Sequence, residues 1–86
     1  MNRHEALNEF KKVLAPYTLH KEKLDTIGDD TDLVKDLQIN SANLVDIIID
    51  AENNYHIEID NDSVEKMYNV GSCLDVILKK INEKNA

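Results

Sequence analysis

Between Gly28 and Gly71 the chain runs without a glycine or proline, and Pro16 is its only proline. A polypeptide so poor in turn residues is ill-suited to the many tight reversals of an all-β domain. Its apolar side chains must then meet through helices, and their spacing agrees. Eighty-six residues predict one domain, 1–86, with a modest core and no deep enclosed active site. That core is aliphatic, because the chain has no Trp and one Phe.

The first helical period runs from about Arg3 to Ala15. Ala6, Leu7, Phe10, Val13 and Leu14 share one stripe, and Asn8, Glu9, Lys11 and Lys12 fill the other face. Pro16 ends it. From Tyr17 to Asp30 follows a long polar connection, with Leu19, Leu24 and Ile27 as its expected anchors. The stretch "DDTDLVKDL" predicts a helical turn capped by Asp30 or Thr31, with Leu33, Val34 and Leu37 facing in. Further on, Ile57 and Ile59 alternate with polar residues in an extended connection. Asn61 or Asp62 is then expected to cap a short helix carrying Val64 and Met67. Asn69 caps the last helix, whose inner stripe is Val70, Cys73, Leu74, Ile77 and Ile81. Lys79, Lys80 and Lys84 suit the negative end of its dipole. The predicted fold is all-α, a small four-helix bundle of three longer helices and one short one, with a long first loop.

The most informative stretch is "DLQINSANLVDIIID", Asp36 to Asp50. Asn40 is a good N-cap, and no breaker interrupts the run until Asn53 and Asn54. Leu44, Ile47, Ile48, Ala51 and Tyr55 already make a complete core stripe. Ala42, Val45 and Ile49 are left over, forming a second apolar line flanked by Asp46, Glu52 and Asn53. One stripe docks a helix; a second is a candidate contact surface. With Asn40 filling the cap, the Ser41 hydroxyl is expected free at the first helical position. A phosphate esterified there would meet unsatisfied backbone N–H groups and the positive dipole end, worth roughly 0.3–1 kcal/mol.

Several function classes drop out. Seventeen acidic against ten basic residues give a net charge of −7, which repels nucleic acid and anionic membranes and suits basic protein partners. His4, His20 and His56 lack metal-ligand spacing. Ser41 with His56 and an acid has no oxyanion hole or pocket to complete it, so no enzyme is expected. "DDTDLVKDL" and "EIDNDSVE" lack the central Gly and closing Glu of a calcium loop. The lone Cys73 reads as a small buried hydrophobe and fits a reducing compartment. No leader pattern opens the chain and no apolar run reaches about 18 residues, so a cytoplasmic monomer is expected.

From Leu33 to Ile81 the chain resembles the acyl carrier protein family. That family's pattern reads as an apolar residue, then D-L-G-x-D-S-L, then a helix with a V/I-E-L core, acidic residues and an aromatic. Here those positions hold Leu33, Asp36–Leu37, Gln38, Asn40–Ser41–Ala42, Val45–Asp46–Ile47, Glu52 and Tyr55. "EIDNDSVEKMYNV" looks like the family's E-I-P-D-E-x-x-E-K-x-x-T-V segment. The resemblance implies a 4'-phosphopantetheine arm joined by a phosphodiester to Ser41, with acyl groups held as thioesters on its thiol. It implies an apolar interior that shelters part of the acyl chain. It also implies a phosphopantetheinyl transferase as one partner. Acyl-transferring or condensing enzymes would dock basic patches against Asn40, Ala42, Val45, Asp46, Ile49 and Glu52.

The chain departs from the pattern at Gln38, Asn40 and Ala42, where Gly, Asp and Leu are usual. Asn43, Asn53 and Asn54 stand where acidic residues are frequent. The docking face is thus less acidic than in fatty-acid carriers, which favours a specialised lipid or polyketide-like pathway. Two alternatives share the fold: a peptidyl or aminoacyl carrier, and a helical adaptor that is never modified.

Overall fold

A computed structural model of the protein describes residues 1–85. Its regular elements are helices α1 (Arg3–Leu14), α2 (Leu44–Tyr55), the four-residue α3 (Asn61–Val64) and α4 (Val70–Asn85). Two 3-10 turns, Lys21–Thr26 and Ser41–Asn43, complete them. The all-α bundle of three long helices and one short one is the architecture the periodicity predicts.

α1 and α4 each start where the chain supplies a reciprocal cap. Asn2 accepts from the Glu5 N–H at 2.8 Å, and the Glu5 carboxylate accepts from the Asn2 N–H at 3.3 Å, a reciprocal box that opens α1. Asn69 and Ser72 do the same for α4: Asn69 Oδ1 accepts from the Ser72 N–H at 2.7 Å, and Ser72 Oγ from the Asn69 N–H at 3.2 Å. α2 ends on His56, held left-handed at φ 56 as its C-cap.

The three long helices bury one shared core. Phe10, Leu14, Ile47, Val70, Leu74 and Ile77 are essentially inaccessible, and Leu33, Leu37 and Ile39 enter from the connection ahead of α2. Each such side chain contributes about 1.5–3 kcal/mol relative to exposure. The Tyr55 hydroxyl donates to the Ala6 carbonyl at 2.8 Å inside this core, bolting α2 to α1. Burial raises its pKa. Cys73 is buried on the inner stripe of α4, where desolvation pushes its thiol up to about 12 and leaves it unreactive.

Four local expectations need correction. Leu19 is 79% exposed and anchors nothing; Leu24 and Ile27 hold the first connection, part of which winds into a 3-10 turn. Val34 faces outward while Ile39 takes the buried place. The turn at "DDTDLVKDL" is capped by Asp32, whose Oδ1 accepts from Val34 and Lys35 N–H at 2.9 and 2.8 Å. α3 is capped one residue early, by Asp60, whose carboxylate accepts from the Ser63 N–H, and Met67 lies beyond its end. The α2 stripe stands as expected: Leu44 and Ile48 pack half-buried against the core, and Ile47, Ala51 and Tyr55 form its deepest line.

Candidate functional site: the exposed serine ahead of α2

The chain reaches Ser41 through a segment fixed on both sides. Residues 31–33 pair antiparallel with 68–70: Leu33 N–H donates to Tyr68 O at 3.2 Å and Val70 N–H to Thr31 O at 2.9 Å. Ile39 N–H donates back to Leu33 O at 3.1 Å, and its side chain is buried. From the other side, the buried Thr18 hydroxyl donates to Leu37 O at 2.7 Å and Lys23 Nζ to Asp36 O at 3.1 Å. Gln38 turns the backbone through φ 52, the left-handed region. That region suits glycine, which is what the family pattern carries there.

Asn40 then caps the helical run as predicted, Oδ1 accepting from the Ala42 N–H at 2.9 Å. The first turn is tighter than expected. Ser41–Asn43 is 3-10, with Asn43 N–H bonded to Asn40 O at 2.8 Å, before α2 proper begins at Leu44. The Ala42 and Asn43 N–H groups are therefore already satisfied, and the favourable field of α2, not a set of free donors, is what a phosphate on Ser41 would meet.

Ser41 itself is exposed, and among the described residues its hydroxyl has no hydrogen-bond partner. The other two serines are engaged. Ser63 Oγ donates to Asp60 Oδ1 at 2.8 Å, and Ser72 Oγ donates to Asn69 O at 3.0 Å. His56 sits at the far end of α2, about 20 Å away at 1.5 Å per residue, so the two cannot act on one substrate. A surface cleft of about 990 Å³, lined by Glu52, His56, Glu58, Lys80 and Glu83 among others, is at that far end too. What stands at the serine is a bare hydroxyl on a rigid mount.

The second apolar line is real: Ala42 is exposed, Val45 61% and Ile49 47%. The acids beside it divide. Asp46 is exposed, and among the described residues it makes no hydrogen bond or ion pair. Asp50 accepts from the Tyr17 hydroxyl, which pins the first connection onto α2 and pushes the phenol up to about 12. Glu52 is half-buried and accepts from the Ile59 N–H at 2.8 Å, so its charge also fastens the α2–α3 connection. Sequence spacing gave no sign of either commitment, because both partners are fixed by tertiary structure.

Comparison with known proteins now decides the family. The chain is 34% identical over 70 residues to the acyl carrier protein of Desulforapulum autotrophicum, covering 81% of this chain and 90% of that one. It is 31% identical over 77 residues to the acyl carrier protein of Lactobacillus acidophilus, covering 90% and 94%. The chain belongs to the acyl carrier protein family. No protein-family profile matches it. The fold agrees with the acyl carrier protein of Enterococcus faecalis: TM-score 0.73 at 25% identity, over 93% of this chain and 99% of that one. Acyl carrier proteins are carriers, not enzymes, and a phosphopantetheine group goes with the family in general. No helix among the described residues is long and apolar enough to cross a membrane.

Proposed function

We propose that residues 1–86 act as a single cytoplasmic carrier domain with 4'-phosphopantetheine on Ser41. The arm's terminal thiol supplies the chemistry, holding acyl groups as thioesters while enzymes of a fatty-acid, lipid or polyketide-like pathway act on them. The protein's own part is presentation. Asn40 caps the turn, the segment 36–39 holds it rigid, and the hydroxyl projects into solvent where a phosphopantetheinyl transferase reaches it. Ala42, Val45 and Ile49 form the apolar centre of the docking face, with Asp46 as its free charge and Asn40 and Glu52 at its ends. The reading rests above all on Ser41 being exposed and, among the described residues, unbonded, while Ser63 and Ser72 are tied into caps. The buried, unpaired Cys73 suits the reducing cytoplasm.

Co-expression with a phosphopantetheinyl transferase tests it by intact mass. One phosphopantetheine should add to the wild-type chain and none to Ser41→Ala, with the helical circular dichroism unchanged. A modified Ser41→Ala chain, or an arm mapped to Ser63 or Ser72, would overturn the assignment. An unmodified chain isolated from its native cells would support the adaptor instead.

A further inference from the structure

Gln38 is three residues ahead of Ser41 and adopts a left-handed backbone, φ 52. An ordinary side chain disfavours that region roughly five- to thirtyfold, so something must hold it there. Its side chain is held. The His20 ring places Nε2 at 2.6 Å from Gln38 Oε1, and its Nδ1 lies 3.3 Å from Glu22 Oε1. The ring is itself set by the backbone, since the His20 N–H donates at 3.1 Å to the same Thr18 hydroxyl that grips Leu37.

We propose that His20 is a positioning residue for Ser41: its ring props Gln38 in the left-handed conformation and so fixes how the chain delivers the serine to a modifying enzyme. This role rests on Ser41 being the attachment point. The Gln38 amide presents either its oxygen or its nitrogen to the ring, so a neutral imidazole supports it as well as a charged one. The prop is therefore a matter of geometry, and a glycine at 38, which takes the left-handed region freely, has no need of it.

A double-mutant cycle reads this directly. His20→Ala should speed amide exchange of Ile39 and Asn43, measured by NMR, about fivefold, while α4 amides change much less. The transferase KM for His20→Ala should rise by a similar factor with kcat unchanged, because only part of the population presents Ser41 correctly. Gln38→Gly should exchange no faster than wild type, and His20→Ala should have no further effect in that background. Equal effects of His20→Ala in both backgrounds, or none in either, would overturn the prop. If transferases modify wild type normally while the cycle is additive, the prop alone fails. If no transferase modifies wild type, the attachment reading fails and this role with it, whatever the exchange data show.

Discussion

The Gly71 N–H donates to the Asp29 carbonyl at 2.9 Å, and a Cβ on Gly71 would lie 2.9 Å from that same oxygen. Arg3 closes over the contact, its guanidinium donating to Asp29 Oδ1 at 3.1 Å, Asp75 Oδ1 at 2.8 Å and Gly71 O at 3.4 Å. The first connection thus touches α4 backbone to backbone at the point where a side chain cannot fit.

Gly71→Ala should therefore destabilise the protein, although Ala is the better helix former by about 1 kcal/mol. The obstructing atoms are the Asp29 carbonyl oxygen, Cα and Cβ, none of them the far end of a flexible side chain, and overpacking typically costs about 1–3 kcal/mol. A net loss of about 1 kcal/mol would lower Tm by roughly 4–8 °C for a domain this size. Differential scanning calorimetry decides it; a raised Tm would mean that residues 28–30 yield without cost.

Acid should weaken the tie between α3 and α4. Lys80 Nζ lies 2.8 Å from Asp60 Oδ1; that contact first, then the Ser63 hydroxyl, holds the Asp60 carboxyl well below the usual carboxylate range. A depressed folded pKa means stability that is present above the unfolded value of about 3.9 and lost as pH falls through the folded one. Asp60→Asn keeps the cap to the Ser63 N–H, because Asn serves equally well there, and removes the charge together with one of the two acceptor oxygens. Its urea midpoint should lie below that of wild type at pH 7, with the gap narrowing as pH drops under about 4. A constant gap down to about pH 2.5 would assign the loss to hydrogen bonding instead of charge.

How much of this was legible depends on the range of the interaction. The stripes of α1, α2 and α4 and the caps Asn40 and Asn69 follow from short-range spacing, and so does the exposure of Val45 and Ile49. The cap of α3 slipped by one because "DND" offers three capping residues in a row, and only the fold selects Asp60. Leu19, Val34 and Ile39 lie in segments without a period, where hydrophobicity alone does not say which side chain turns inward. Gln38 is the clearest case. Nothing in its side chain announces a left-handed backbone; the departure from Gly in the family pattern marked the position, and the structure supplied His20 as the reason it is tolerated.

Docking should depend more on apolar contact than on charge. Of the acids on α2, Asp50 and Glu52 are tied to Tyr17 and Ile59, while Asp46 has no hydrogen-bond or ion-pair partner among the described residues. An exposed pair is worth about 0.2–1 kcal/mol, whereas burying Val45 and Ile49 in a partner recovers up to about 1.5–3 kcal/mol each. Val45→Ser and Ile49→Ser should each raise the KM of a cognate acyl-transferring enzyme more than Asp46→Asn does. Asp46→Lys adds repulsion against a basic patch, and its effect should shrink at high salt. Steady-state transfer assays at two salt concentrations separate these; a dominant Asp46→Asn effect would make the interface electrostatic after all.

The residues on either side of Ser41 should tune how fast the arm is installed, and unequally. Asn40→Asp retains the cap to the Ala42 N–H and adds one exposed charge, worth about 0.2–1 kcal/mol, or at most roughly fivefold in rate. Ala42 is exposed beside the serine, so a leucine there costs the fold little and gives a transferase groove an apolar side chain to bury. Full burial is worth roughly 1.5–3 kcal/mol, which is tenfold or more. A broad-specificity transferase should then modify wild type slowly, Asn40→Asp somewhat faster and Ala42→Leu faster still. The double mutant should be fastest. Initial rates by intact mass give the order. Wild type running at the double mutant's rate would show that the enzyme reads the serine and the helix behind it, and is indifferent to the residues at 40 and 42.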